Sequence, residues 1–328
     1  MKKVIFILIV ITLIFLSFRS KPEKIDYGVS FSAFHAQELN LNWQKTFDAI
    51  VHDLGVRRFR FSAHWPLTEP EKDKFDWTYL DYQINEAEKT GSTVILAVGQ
   101  RLPGWPECHV PGWAQKLTKE EQQAEMLGYI RAVVERYGNA RSITHWQVEN
   151  EPYLTLFAKH ICGNLDEEFL KKEIALVESL DPDRPIIVTD SGEISFWWKP
   201  YKLSDTFGTT LYLYVWNHKF GPIRYPVIPA FFRIKRNIVE LAAGDKPVFL
   251  IELGAEPWLT KPIVETPLKE VLARMDIEKF NKVIKFAKKA GFETQYLWGA
   301  EWWYYMKEKN HPEFWNRAKE LFSESSQK

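Results

Sequence analysis

Apolar residues recur along this chain at two alternating periods. Phe47, Ile50, Val51 and Leu54 stand three or four apart, Gly55 follows, and a run rich in apolar residues fills 56–62. The first spacing marks one face of a helix, and a short apolar run bounded by turn residues marks a buried strand. The phrase returns with Trp77, Leu80, Ile84 and Ala87, then Gly91 and the run 93–98. Thr118 and Glu121 make a capping box that opens a helix through Leu127, Val134 and Tyr137 to Gly138, with a strand over 143–149 behind it. A helix around 234–243 stops at Gly244 before the strand 248–251. Asp276 caps a helix over 277–290 that stops at Gly291 ahead of the strand 294–298. Glycine just past a helix supplies the left-handed conformation that ends it.

The runs 27–32, 186–189 and 209–214 bring the strands to eight, and 312–322 makes a last helix. Strands alternating with helices predict an α/β chain with a parallel sheet. Eight such units in this length predict a single-domain (β/α)₈ TIM barrel over 26–328, with an open doubly wound sheet as the alternative. The doubly wound fold carries a glycine-rich phosphate loop after its first strand. Here Phe31-Ser32-Ala33-Phe34-His35 follows instead, and no linker or low-complexity tract divides 26–328.

The first 25 residues stand outside this pattern. Lys2 and Lys3 precede a fifteen-residue apolar run over 4–18, which suits a secretory signal and is short for a full membrane span. The segment Leu16-Ser17-Phe18-Arg19-Ser20 is not a small-residue cleavage site. Residues 1–25 are thus expected to be a signal peptide or an amino-terminal anchor attached through 4–18, and the protein to be exported: secreted, or held on the outer face of the cytoplasmic membrane. In such a place Cys108 and Cys162 are either a disulfide or two buried thiols. With His109 and His160 they lack the spacing of a zinc site. Neither a metal nor a cofactor is expected.

Composition adds two points. The 43 basic and 43 acidic residues cancel, which leaves no electrostatic case for nucleic acid. Aromatics are heavy, with 14 Trp, 13 Tyr and 22 Phe; part of them must be core, and tryptophans clustered in loops also suit the flat apolar faces of a ligand.

In a barrel of this kind the chemistry lies at the carboxyl ends of the strands. Strand 2 carries Arg60, then His64 and Trp65. Strand 3 runs into Gln100, Arg101 and Trp105. Strand 4 ends on Asn150 and Glu151, where Pro152 stops the pairing; strand 6 gives Tyr212 and Tyr214; strand 7 ends on Glu252; strand 8 ends on Trp298, with Glu301 beyond. Carboxyls at the tops of strands 4 and 7 face one another across the mouth. Glycoside hydrolysis needs such a pair, one to protonate the leaving oxygen and one to attack or to activate water. The rings of Trp146 and Tyr153 beside Glu151 favour its protonated form.

The pattern resembles clan A glycoside hydrolases, the retaining (β/α)₈ group that includes families 1, 5, 39 and 42. The motif WQVENEP matches the clan's strand 4 Asn-Glu pair at Asn150-Glu151. PVFLIELGAEPW matches the strand 7 nucleophile at Glu252. GVRRFRFSAHW, followed by PLTEPEKDKFDWTYLD, matches the strand 2 arginine at Arg60, and Tyr212 and Trp298 match the strand 6 tyrosine and strand 8 tryptophan. The resemblance runs in order over nearly all of 26–328. It implies that Glu151 is the acid/base and Glu252 the nucleophile, paired with Arg60 and hydrogen-bonded by Tyr212. It implies that Asn150 holds the sugar 2-hydroxyl and Trp298 floors the sugar. Their place at or just past the strand ends adds His64, Gln100 and Glu301 as candidate substrate-binding residues. The partner is then an oligosaccharide or polysaccharide, cut at β-linked O-glycosidic bonds. Alternatives are an inactive carbohydrate-binding barrel, a transglycosylase with the same site, or a metal-dependent hydrolase. The stretches AVGQRLPGWPECHVPGW and WGAEWWYYM depart from the better-known families, which leaves the substrate open.

Rivals exist for three assignments. Glu149 shares a face with Glu151 in a regular strand, and Asn150 and Glu151 point to opposite faces, so a bulge or irregular end is required. Glu256 competes with Glu252 from the loop past Gly254, and Tyr214 shares a face with Tyr212. Trp197-Trp198 and Trp302-Trp303 divide between core packing and a sugar platform.

Overall fold

The computed structural model describes residues 17–18, 22–154, 158–164, 166–217 and 219–326. All but the last two residues of the apolar run 4–18 therefore lie outside the described residues. Among the described residues no helix is long and apolar enough to cross a membrane.

Eight parallel strands close into a barrel: β1 (Asp26–Phe31), β2 (Arg58–Ser62), β3 (Thr93–Val98), β4 (Ile143–Val148), β5 (Ile186–Asp190), β6 (Thr206–Leu211), β9 (Val248–Gly254) and β10 (Thr294–Trp298). A separate antiparallel hairpin, β7 (Tyr214–Asn217) and β8 (Gly221–Arg224), rises from the loop after β6. The barrel's inside is narrow. Ile95, Ile187, Ile251 and Tyr296 fill it, with Phe249 against them. The alternate residues, among them Phe59, Phe61, Leu96, Trp146, Val188 and Leu297, pack outward under the helices. Trp197, Trp302 and Trp303 belong to that buried layer, while Trp198 is exposed.

The helices start and stop where local chemistry directs. Thr118 caps Lys119–Tyr137 in a two-way capping box with Glu121, and the Asp276 carboxylate accepts from the backbone N–H of Lys279 to open Ile277–Ala290. Gly291 closes that last helix in a left-handed conformation. Gly138 does not follow suit. Its φ is −56°, and a Cβ there would come within 2.9 Å of the Val134 carbonyl, so closeness rather than handedness requires glycine.

One strand is displaced from expectation. The sixth covers Thr206–Leu211 rather than 209–214. Its residues TFGTTL are all buried, yet threonine and glycine give no apolar signal. Gly208 lies so close to β9 that a Cβ would come within 3.1 Å of Ile251. Tyr212 therefore lies past the strand end, and Tyr214 opens the hairpin. A second irregularity sits in β9, where Thr209 pairs with Leu250 and Thr210 with Glu252. Ile251 is the extra residue of a bulge, which lets neighbours Ile251 and Glu252 both serve the inside of the barrel.

Cys108 and Cys162 form a disulfide, Cα atoms 5.4 Å apart, that ties the loop after β3 to the loop after β4. The full-length chain, denatured without reductant, is expected to show no titratable thiol. Replacing both cysteines by serine should lower unfolding free energy by about 2–4 kcal/mol, read from urea denaturation. Two free thiols in the native protein would contradict the link.

Candidate active site

Arg60 sits inside the barrel and is 1% exposed. A guanidinium there is tolerable only if its donors are answered. Nε donates to Gln147 Oε1 at 2.8 Å, Nη1 to Glu252 Oε2 at 2.5 Å and Nη2 to Asn150 Oδ1 at 2.7 Å. One side chain thus joins β2, β4 and β9. Tyr212 donates its hydroxyl to the other oxygen of Glu252, Oε1. Gly254 stands directly against the Tyr212 ring, with no room for a side chain, and Trp258 packs edge-on to that ring at 5.1 Å between centroids.

The end of β4 breaks alternation. Glu149 has φ +58° and Glu151 φ +45°, left-handed values that cost a residue with a side chain about 1–3 kcal/mol each. Glu149 turns aside: its two oxygens accept the backbone N–H groups of Gln100 and Arg101, both at 2.7 Å. Glu173, buried on the helix Glu167–Leu180, keeps its proton under the weight of burial and donates to Glu149. That seat frees Asn150 to face Arg60 and Glu151 to face the mouth. The backbone N–H of Glu151 reaches Thr189 Oγ1 at 2.7 Å, and Thr210 Oγ1 donates to Glu151 Oε1 at 2.9 Å.

The two carboxyls have different surroundings. Glu252 has a cation and a phenol. Among the described residues the Glu151 carboxyl has hydroxyl contact alone, and Glu151 is 7% exposed. Burial pushes its pKa well above the carboxylate range, the charges of Glu107, Glu252 and Asp190 push it further, and Arg101 only partly opposes them. Burial, then the charge of Glu252, keeps the Tyr212 hydroxyl protonated.

Trp298 is the other wall. Its Nε1 donates to Glu256 Oε1 at 2.7 Å, and the His35 ring lies nearly parallel at 5.5 Å while its Nε2 contacts Glu256 Oε2 at 2.9 Å. Glu256 thus orients Trp298. Tyr214, the rival of Tyr212, lines a cleft of about 310 Å³ beside the site, with Trp258, Ile223, Arg224 and Arg274.

Arg60, Asn150, Glu151, Tyr212, Glu252 and Trp298 therefore meet at one end of the barrel. The other three expected substrate contacts do not join them as expected. Both oxygens of Glu301 are sealed; Oε1 accepts the Ser32 N–H at 2.6 Å, because the chain turns into the helix Ala300–Glu308 and tucks that carboxyl under the end of β1. His64 is buried against His109 at 4.6 Å and Phe34 at 5.7 Å, its Nε2 without a partner among the described residues, and burial keeps it neutral. Gln100 supplies backbone, an N–H to Glu149 and a carbonyl to His109. The sequence reading missed His35, Thr189, Thr210, Gln147 and Glu107. The ends of strands 1 and 5 held two of them, and inward alternation along β4 points to Gln147.

An eight-stranded parallel barrel that gathers an arginine, an Asn-Glu pair and a second glutamate at its strand ends defines a class: this chain is a member of clan A of the glycoside hydrolases. It belongs to the glycoside hydrolase 42 family, described as Beta-galactosidase, which matches residues 35–222. Similar proteins include Beta-galactosidase BgaA of Clostridium cellulovorans, 27% identical over 177 residues, 47% of this chain and 26% of that protein. A probable mannan endo-1,4-beta-mannosidase A of Aspergillus niger is 27% identical over 162 residues, 45% of this chain and 40% of that protein. The match thus spans less than half the length of these relatives. The fold is shared with a cold-adapted beta-galactosidase from Rahnella sp. R3 at TM-score 0.60 and 12% identity, over 93% of this chain and 56% of that one. It is also shared with xylanase 10B from Thermotoga petrophila at TM-score 0.53 and 16% identity, over 84% and 82%.

Arg60→Met leaves Glu252 buried without its cation, and is expected to cost about 3–5 kcal/mol of stability. Tyr212→Phe removes one hydrogen bond to that carboxylate and should cost less, about 1.5–3 kcal/mol. Urea unfolding of the two variants beside the unsubstituted chain measures both. Equal losses would mean that the ion pair does not organise the site.

Proposed function

We propose that this protein is a retaining glycosidase that cleaves β-linked O-glycosidic bonds in an oligosaccharide or polysaccharide. One observation carries the reading: two carboxyls on opposing strands have opposite environments, a gripped one at Glu252 and a proton-holding one at Glu151. Pairs whose surroundings separate them in this way divide acid from nucleophile.

Glu252 attacks the anomeric carbon while Glu151 gives its proton to the departing oxygen, and a glycosyl ester forms on Glu252. Esterification removes the negative charge of Glu252, one of the causes that raise Glu151. Glu151, now a carboxylate, takes a proton from water, which attacks the ester and releases the sugar with its configuration kept. Asn150, fixed by Arg60, holds the 2-hydroxyl. Trp298, fixed by Glu256, floors the ring. The cleft beside Tyr214 has room for further sugar units. The names of the relatives make β-galactosides and β-mannans the first substrates to try. The apolar run 4–18 and the Cys108–Cys162 disulfide support export, by secretion or through an anchor; fractionation of expressing cells tests it, and a wholly cytoplasmic protein would refute it.

The reaction is tested with aryl β-glycosides and the full-length chain in detergent. Glu151→Gln is expected to lower kcat/KM on the order of 10²–10⁴-fold for poor leaving groups. For a dinitrophenolate, which departs without a proton, the loss should be far smaller. Glu252→Gln should lower it as severely for both. NMR of the first-formed sugar should show the β-anomer. An inverted product would remove the nucleophile role from Glu252.

A further inference from the structure

A third carboxyl stands beside the proposed pair. Glu107 lies in the loop between β3 and the helix Lys119–Tyr137, and is 8% exposed. It holds φ +72°, a left-handed value for a residue with a side chain. The loop closes tightly around it. Leu102 N–H reaches the Glu107 carbonyl and Glu107 N–H reaches the Gly104 carbonyl, both at 2.8 Å, while Arg101 and Cys108 make a bridge. The next residue, Cys108, is joined to Cys162 in the loop that follows Glu151. A strained backbone persists only where its surroundings over-determine it. Here a disulfide and two backbone hydrogen bonds do so, and what they aim is a carboxylate.

Glu107 Oε2 accepts from Asn150 Nδ2 at 3.5 Å and from Arg101 Nε at 3.4 Å. Both partners are themselves tied to the mouth. Asn150 is the neighbour of Glu151 and a partner of Arg60, and Arg101 Nη1 donates to the Leu154 carbonyl just past Glu151. We propose that Glu107 is a positioning carboxylate, which orients the Asn150 amide toward the substrate and keeps the proton on Glu151 for delivery to the leaving oxygen. This rests on the role given to Glu151 above.

The charges support the geometry. The groups that act on Glu151 are Glu107, Glu252 and Asp190, which favour its proton, and Arg101, which opposes it; Thr189 and Thr210 are neutral. Tyr212 and Tyr225 lie within reach of its field. On Glu107, burial and Glu252 act upward, Arg101 and Asn150 downward, and its pKa lies at about 7. Glu151 is raised well above its ordinary range, with Glu107 the largest charge acting on it. Glu107 therefore ionises first, and its charge then holds the proton on its neighbour. Taking the charge away must lower the pKa of Glu151, so the alkaline loss of activity must move to lower pH.

The experiment is a ¹³C NMR titration of the glutamate carboxyls in the full-length chain, with Glu107→Gln and Glu107→Asp beside it. It needs no turnover, so a protein that cleaves nothing would refute the glycosidase reading while the titration still decides this one. In the unsubstituted chain Glu107 is expected to titrate near 7 and Glu151 later; the reverse order overturns the proposal. In Glu107→Gln the Glu151 midpoint should fall on the order of one unit. The alkaline limb of kcat/KM should move down by the same amount. Glu107→Asp, which keeps a carboxylate one methylene further back, should restore most of the difference. A Glu151 midpoint that stays put in Glu107→Gln would reduce Glu107 to a loop brace and sink the idea. So would an activity loss with no shift of the limb.

Discussion

The guanidinium of Arg60, shut inside a barrel of isoleucines and aromatic rings, is the constraint on which the site depends. Taking such an ion out of water costs several kcal/mol, and the loss is offset only by well-placed partners. Those partners are Gln147 and Asn150 on one side and Glu252 on the other, from β4 and β9. None of them can move far without leaving a buried charge unanswered. Closing the barrel and assembling the site are for that reason one event. The strands that carry Glu151 and Glu252 are held to one arginine between them.

A regular sheet alone would not deliver this set. Side chains alternate across a strand, so consecutive residues face opposite ways. Both critical strands need two neighbours on the same side, and each breaks alternation differently. In β9 an extra residue, Ile251, bulges the strand so that Glu252 stays with Arg60 while Ile251 still fills the inside. At the end of β4 the backbone passes through positive φ twice, at Glu149 and Glu151. The first turn is secured by Glu149, which receives two backbone N–H groups and the proton of Glu173. A carboxylate that resembles a catalytic candidate in sequence is thus the clamp that holds its neighbour in place.

Much of this was legible in the chain. The eight strands could be read because most carry long apolar runs, and helices ending at Gly55, Gly91 and Gly291 punctuate them. Arg60, Glu151 and Glu252 stood out because a charge at the end of an apolar strand has no packing reason to be there. The need for an irregular end at Asn150-Glu151 followed from alternation alone. The failures have physical causes too. β6 was placed three residues late because Thr206, Gly208 and Thr209 pack by smallness rather than hydrophobicity. Glu301 and His64 looked like rim residues because sequence order shows nearness to a strand end, not depth. The triad of His35, Glu256 and Trp298 joins residues more than two hundred positions apart, which no local pattern reveals. Glu107 was hidden by its loop: its role depends on a left-handed turn and a crosslink to a distant cysteine.

The scaffold creates the difference between the two carboxyls before any sugar arrives. Glu252 comes off a bulge and meets the buried guanidinium of Arg60, with a phenol behind it. Glu151 comes off a strained strand end into a setting of threonine hydroxyls and other acids, where no cation among the described residues touches it directly. The unlike surroundings of the two carboxyls thus follow from two backbone irregularities, the bulge in β9 and the positive φ at the end of β4.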